Sequence, residues 1–194
     1  MSIALVDSTI QRLETSLGSS PSPTVLNGEI LVHTPTQSEW GGAVVAQMYL
    51  PLERSQVWQG VTNYPRWVDY FPDVICSEIL TSEEGSFTKS KRIRQVAEKS
   101  FLLFAAKVEI YLKVLEIVSP ADHHIHFTLE KGDFTHFSAH LKLHDYQAGT
   151  LLTYTVRATP MLPVPAFLIQ QVSRLDFPTN LRQMRQVLCA SLRS

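Results

Sequence analysis

The chain has 194 residues, of which 44% are hydrophobic and 18% are charged, and its formal net charge is −1. This composition fits a single domain, or one domain with an extension, and excludes a disordered chain. The balanced charge, without a basic run, argues against nucleic acid as a partner. No apolar run is long enough to span a bilayer, and the N-terminus lacks the basic region of a signal peptide. We therefore expect a cytoplasmic protein without stable membrane insertion.

Residues 1–39 are predicted to be an N-terminal extension of a main domain that spans residues 40–194. Apolar residues recur at steps of three and four within residues 2–17, which predicts a short amphipathic helix. Residues 19–23 (Ser-Ser-Pro-Ser-Pro) have the composition of a linker. The helix could dock on the domain or on another protein, so residues 1–23 are a possible protein-interaction segment.

A strand and an aromatic-rich helical corner begin the main domain. Residues 29–33 are a possible short strand, and residues 43–50 are predicted to be a strand. Residues 53–63 and 66–71 have apolar side chains at helical spacing, with prolines at their ends, which predicts two short helices. We interpret this corner as a packing device that closes one end of the core, so Trp58→Ala is expected to cost about 3–5 kcal/mol.

From Val74 to Thr159 apolar and polar residues alternate, which is typical of half-buried strands. Turn signals divide this region into strands predicted at 74–81, 86–96, 101–118, 123–130, 134–145 and 150–159. Their short connections indicate hairpins and hence an antiparallel meander. Four of the strands share an apolar face made by Val108, Ile110, Leu112, Val114, Ile125, Phe127, Leu129, Phe137, Ala139, Leu141, Leu143, Leu152, Tyr154, Val156 and Ala158.

The pattern also predicts the register of one hairpin. Matching the two apolar faces places Phe127 beside Phe137 and leaves a loop at residues 131–133, in which Gly132 supplies a positive φ. A tight connection of this kind is common between antiparallel strands.

In that register His124 lies opposite His140, and His126 follows on the same face. Imidazoles at this spacing can ligate zinc or nickel. However, they lie on the polar face, which we predict to be open to solvent and without supporting partners. We therefore expect a solvated histidine patch, with incidental binding of added metal as the alternative, and we assign no metal site and no cofactor.

The C-terminal segment carries an apolar stripe at helical spacing, made by Leu168, Val172, Leu175, Leu181, Met184, Leu188 and Leu192. The spacing slips between Leu175 and Leu181, at Pro178, which predicts a kink there or a break with Asp176 as a new N-cap. The economical packing is an α+β fold in which a curved antiparallel sheet grips this helix. The gap between sheet and helix is a natural apolar cavity, with the Pro178 region as a possible hinge.

Several segments, in this order, are similar to a known superfamily. They are VWQGVTNYPRWVDYFPDV (57–74), KVEIYLKVLE (107–116), GDFTHFSAHLKL (132–143), LLTYTV (151–156) and VPAFLIQQVSRLDFPTNLRQMRQ (164–186). The chain resembles the START-like, birch-pollen-allergen-like (SRPBCC) superfamily, and within it the polyketide cyclase/dehydrase and coenzyme Q-binding branch. The resemblance implies a helix-grip fold, with two short helices after the first strand and a cavity for hydrophobic ligands.

The mostly apolar inner face favours binding over chemistry. We therefore predict a non-catalytic protein that binds or transports an isoprenoid, quinone, lipid or pigment-like molecule. The alternatives are an aromatase/cyclase or dehydratase acting on a polyketide-like substrate, and a protein-interaction or assembly module. The residues predicted to line the cavity are Leu112, Phe127, Phe137, Leu141, Tyr154, Val156, Phe167, Leu168 and Val172.

No motif for nucleophilic catalysis occurs in the sequence, so we assign no catalytic residue. The hydroxyl of Tyr154 either forms a hydrogen bond with a backbone group or donates one to a ligand carbonyl. Arg92, Arg94 and Gln95 lie on a strand whose phase the pattern does not determine. An arginine inside the cavity would need an anionic partner, so we place the arginines outside.

Overall fold

The computed structural model describes residues 21–38, 41–85, 88–101, 104–161 and 175–191. Within these ranges the strands are β1 (Leu31–Ser38), β2 (Gly41–Leu50), β3 (Val74–Glu84), β4 (Thr88–Phe101), β5 (Phe104–Val118), β6 (Asp122–Gly132), β7 (Phe134–Tyr146) and β8 (Gly149–Pro160). They form one antiparallel sheet in the order β1-β2-β8-β7-β6-β5-β4-β3. The predicted meander is therefore confirmed from β3 to β8.

The sheet includes residues on the N-terminal side of the predicted boundary at residue 40. β1 pairs along β2, with Leu31 opposite Gln47, and the strand is longer than the segment 29–33 indicated. Before it, a short helix α1 (Pro23–Leu26) begins with Ser22 as its N-cap and buries Val25 completely. The predicted helix at 2–17 lies outside the described residues.

The aromatic corner consists of helix α2 (Arg54–Val61), a 3₁₀ turn (Tyr64–Arg66) and helix α3 (Trp67–Tyr70). The Trp67 indole N–H donates to the Val61 carbonyl at 2.9 Å, and the Tyr70 hydroxyl donates to the Gly60 carbonyl at 3.0 Å. These bonds satisfy carbonyls at the C-terminal end of α2 and attach α3 to it. Trp67 is buried whereas Trp58 is half-buried, so Trp67 is the anchor of the corner.

The C-terminal helix α4 (Phe177–Ser191) follows a π-helical turn at residues 175 and 176. Leu181, Met184 and Leu188 are fully buried, whereas Leu175 is 63% exposed, so the predicted stripe breaks at the slip. The π-helical turn lies just before Pro178, where the sequence predicted a kink or break. Pro178 itself stands in the first turn of α4, a position that a proline tolerates, whereas it would disrupt the interior of a helix. Leu168, Val172 and Leu192 lie outside the described residues.

Helix α4 lies over the inner face of the sheet. Its Arg185 side chain donates to the Tyr49 carbonyl in β2 at 3.0 Å, and Gln183 donates to the Asp69 carbonyl in α3 at 3.4 Å. Phe177 stacks on Tyr154 of β8 with ring centroids 5.7 Å apart. The sheet therefore grips this helix, as expected for the helix-grip fold. No helix in the described part of the chain is long and apolar enough to cross a bilayer.

The predicted register between β6 and β7 is wrong by two residues. Phe127 lies opposite Ala139 instead of Phe137, and His126, instead of His124, lies opposite His140. A slip of two residues leaves every side chain on its predicted face, because the side-chain period of a strand is two.

The reason for the slip is that β6 and β7 separate before the turn. The last pair between them is Thr128–Ser138, after which Gly132 pairs with Ile110 of β5 and Phe134 pairs with Pro160 of β8. Each strand thus follows its outer neighbour and not its hairpin partner. Gly132 has φ 139°, so the glycine does supply the positive φ that was predicted.

Candidate functional site

The predicted lining residues meet on the inner face of the sheet. Leu112, Phe127, Leu141 and Tyr154 are buried in the main hydrophobic cluster, and Phe137 and Val156 pack against it half-buried. Phe167, Leu168 and Val172 lie outside the described residues, so their role stays a prediction.

Burial on the inner face decreases toward one end of the sheet. In the middle, Leu112, Phe127 and Leu141 are 1%, 2% and 0% exposed. At the end where β6 and β7 separate, the inward-facing apolar side chains are only half-buried, namely Val108, Leu129, Phe134, Phe137 and Val156. We call this end, defined by those five residues, the open end. Inward-facing apolar groups are accessible to solvent there.

Aromatic rings form a continuous wall between the corner and helix α4. Trp67 contacts Phe127 with centroids 5.2 Å apart and meets Tyr154 edge-on at 6.4 Å. Tyr154 in turn stacks on Phe177. Pattern analysis missed Trp67 and Phe177, because the face on which a single helical aromatic packs depends on tertiary contacts.

The hydroxyl of Tyr154 is the distinctive polar group of this wall. Tyr154 is 6% exposed, and its hydroxyl makes no hydrogen bond with any residue in the described ranges. Burial raises the pKa of this phenol far above its ordinary value, so the group stays neutral and can donate. Two roles were predicted for this hydroxyl. The described residues offer no backbone group that accepts its hydrogen bond, which leaves donation to a ligand as the role to test.

The structure also determines the phase of β4. Gln95 faces inward, opposite Ile110, and its amide donates to the Ser77 hydroxyl at 3.2 Å. Arg92 and Arg94 face outward, as expected. They pair with carboxylates of neighbouring strands, Arg92 with Glu130 at 2.7 Å and Arg94 with Glu78 at 2.9 Å and Glu109 at 2.5 Å.

A buried ionic cluster closes the corner end of the inner face. Glu116 is 3% exposed, accepts from the Tyr64 hydroxyl at 2.8 Å, and pairs with the Lys91 ammonium at 2.6 Å. Burial, and then the Glu116 charge, raise the pKa of Tyr64, which stays a neutral donor. The alternation that places Val114 on the inner face also places Glu116 there, so its inward orientation could have been predicted from the sequence.

The outer face differs from the expected solvated surface. Its centre is buried around β2, β8 and β7, where Val45 is 0%, Thr155 1% and His140 4% exposed. His124 and His126 are half-buried, and their rings stack with that of His140. The histidines therefore form a compact cluster and not a solvated patch.

Solved structures share this architecture. The STAR-related lipid transfer protein of Xanthomonas axonopodis has a TM-score of 0.67 at 16% identity, over 82% of this chain and 93% of that one. Human StAR-related lipid transfer protein 5 has a TM-score of 0.71 at 13% identity, over 100% and 95% of the two chains. The Zhui aromatase/cyclase of a Streptomyces species has a TM-score of 0.55 at 15% identity, over 79% and 97%. At such identities the likeness establishes the fold alone.

The search of curated proteins gave no match. The family model described as polyketide cyclase/dehydrase and lipid transport matches residues 50–185, which contain the corner, β3 to β8 and most of α4. The fold of this family suits the binding of hydrophobic small molecules, and a coenzyme Q-binding role is not specifically indicated. The chain belongs to the polyketide cyclase/dehydrase and lipid transport family.

Proposed function

We propose that this protein binds and carries a hydrophobic small molecule between the inner face of the sheet and the C-terminal helix, without transforming it. The observation that supports the proposal most directly is the phenol of Tyr154, a buried residue in an otherwise aromatic and aliphatic wall, whose hydroxyl has no hydrogen-bond partner among the described residues. Ligand pockets typically combine an apolar lining with a few polar groups that fix orientation.

The phenol restricts the class of ligand. A pure hydrocarbon would leave the hydroxyl without a partner at a cost of about 1–3 kcal/mol. A molecule with an acceptor oxygen on an apolar body would satisfy it and could pack against the half-buried side chains of Phe137 and Val156. Among the classes considered, a quinone, an esterified lipid or an oxygenated isoprenoid meets both conditions.

Binding is favoured over cyclase or dehydratase chemistry by the state of the inward-facing ionic groups. Acid–base catalysis would need a base within hydrogen-bond reach of the substrate. The carboxylate of Glu116 is instead occupied by Lys91 and Tyr64, and Arg92 and Arg94 lie on the opposite face. Gln95 and Ser77 bind each other and neither is a base at neutral pH.

The test is organic extraction of the purified full chain followed by mass spectrometry. We expect one apolar compound class with an oxygen acceptor, in a near-stoichiometric amount. The matched control is the same chain with Val156→Arg, which would place a charge at the open end and should reduce the extracted amount. Recovery of no compound from the folded wild-type chain, or recovery of equal amounts from both chains, would contradict the proposal.

Tyr154→Phe is expected to weaken binding of a carbonyl-containing ligand about 2–12-fold, since one hydrogen bond contributes about 0.5–1.5 kcal/mol. The free energy of unfolding of the ligand-free chain should be unchanged or slightly higher, because the hydroxyl has no partner among the described residues. Fluorescence titration and urea denaturation measure the two effects. Tyr49→Phe, which removes a phenol from β2, is the control for binding. A loss of stability without a loss of affinity would show that the hydroxyl has a structural role only.

A further inference from the structure

Three histidines from neighbouring strands converge on the outer face of the sheet. His124 and His126 lie on β6 and His140 on β7, and one ring nitrogen of each lies within 4.8 Å of the others. We propose that this cluster is a binding site for a divalent transition metal, with zinc as the best-matched ion. The site lies on the face opposite the proposed ligand cavity and does not depend on that proposal.

The backbone already places the three side chains for a common ion. His126 lies directly opposite His140, and His124 is two residues further along the same face. The nearest ring nitrogens, His124 Nδ1 and His140 Nε2, are 3.0 Å apart. Zinc bonds to imidazole of about 2.0–2.1 Å in a tetrahedron place ligand nitrogens about 3.3 Å apart. The His126 ring stacks on that of His140 with centroids 4.4 Å apart, so its side chain would have to rotate to present a nitrogen to the same ion.

Asp122 fixes the tautomer that a metal needs. Its carboxylate Oδ1 lies 2.8 Å from His124 Nε2, and Lys142 holds its other oxygen at 3.1 Å. A histidine that donates Nε2–H to a carboxylate presents the Nδ1 lone pair, here the nitrogen that faces His140. Histidine ligands of metals almost always have such a carboxylate or carbonyl partner on the other ring nitrogen. The metal would replace the N–H···N bond between the two rings, and His140 would then carry its proton on the opposite nitrogen.

A buried hydroxyl beside the cluster supports an occupant independently. Thr155 lies opposite His140 in the β7–β8 pairing, is 1% exposed, and its Oγ1 has no hydrogen-bond partner in the described part of the chain. A buried polar atom without a partner is costly, and a coordinated water or anion at the open position of a three-histidine metal site would satisfy it. The same burial removes the reason for expecting only incidental binding.

The donor set selects the class of ion. Three neutral imidazoles suit zinc, copper, nickel or cobalt, whereas magnesium and calcium require oxygen ligands. No thiol belongs to the cluster, so binding would not require a reducing environment.

The experiment is a calorimetric titration of zinc chloride into the full chain, free of any purification tag. We expect one tight site per chain, lost in His126→Gln and His140→Gln and weakened about 10–100-fold in Asp122→Asn, which removes the supporting carboxylate charge. His33→Gln is the matched control, because it removes an exposed histidine of β1 and should bind zinc like the wild type.

A zinc-dependent rise in the thermal midpoint of the wild type, absent in His126→Gln, checks the result without relying on His140, whose burial puts the fold of its variants at risk. The same rise should persist in His33→Gln. Weak binding at several sites that is equal in all five proteins would overturn the proposal, as would a tight site that survives His126→Gln.

Discussion

Trp67→Ala is expected to lower the free energy of unfolding by about 3–5 kcal/mol, the range for removing a buried tryptophan. Trp67 is 3% exposed and contacts Tyr64, Phe71 and Phe127. Its indole N–H also donates to the Val61 carbonyl. The substitution would therefore create a cavity and would leave this carbonyl, at the C-terminal end of α2, without its donor. Urea denaturation monitored by circular dichroism measures the change.

Trp58→Ala is the control from the same corner. Trp58 is half-buried and meets the His123 ring edge-on at 5.0 Å, so its removal should cost about 1–2 kcal/mol. The sequence-based expectation placed the larger loss at Trp58. Equal losses in the two variants would mean that Trp67 does not anchor the corner.

The faces of the strands could be predicted from sequence, because their alternation has a physical cause that is local. Successive residues of β5 to β8 lie on alternate sides of the sheet, and the middle of the inner side excludes water. Leu112, Phe127, Leu141 and Tyr154 were placed correctly for this reason. A slip of the register between β6 and β7 did not affect this result, since it was even-numbered.

The pattern failed where the inner face is polar. β4 places Lys91 and Gln95 on the same side as Ile93, so neither face of the strand is apolar throughout. Only the ladder with β5 distinguishes Gln95 from the arginines beside it. The register slip has a similar origin, because β6 and β7 each follow an outer neighbour that lies far away in the sequence.

On the outer face, the pattern predicted the orientation of the side chains but not their burial. Alternation correctly puts the histidines, Thr153 and Thr155 on one side, but a polar composition does not imply that this side is wet. Thr155 and His140 are buried there. Whether a polar face is covered depends on segments elsewhere in the chain, so no property of β7 or β8 alone could have shown it.

Lys91→Met is expected to destabilise the protein by about 3–5 kcal/mol, because it leaves the buried carboxylate of Glu116 without its counter-charge. The Tyr64 hydroxyl would still donate to that carboxylate, but a single neutral donor does not offset the desolvation of an ion. Thermal and urea denaturation at neutral pH measure the loss. Lys89→Met is the matched control in the same strand, since its ion pair with Glu84 is exposed and should leave the midpoint nearly unchanged.

The double variant Lys91→Met/Glu116→Gln separates the charge from the packing. Glutamine keeps the shape of the side chain and an oxygen that can accept from Tyr64, so the double variant should be more stable than Lys91→Met alone. The recovery arises because replacing both members of a buried ion pair by neutral groups costs less than removing one member. If the double variant were as unstable as the single one, the loss would not arise from the uncompensated charge of Glu116. The remaining candidate would be the contact of the Lys91 ammonium with the Tyr64 ring, whose centroid lies 5.0 Å away.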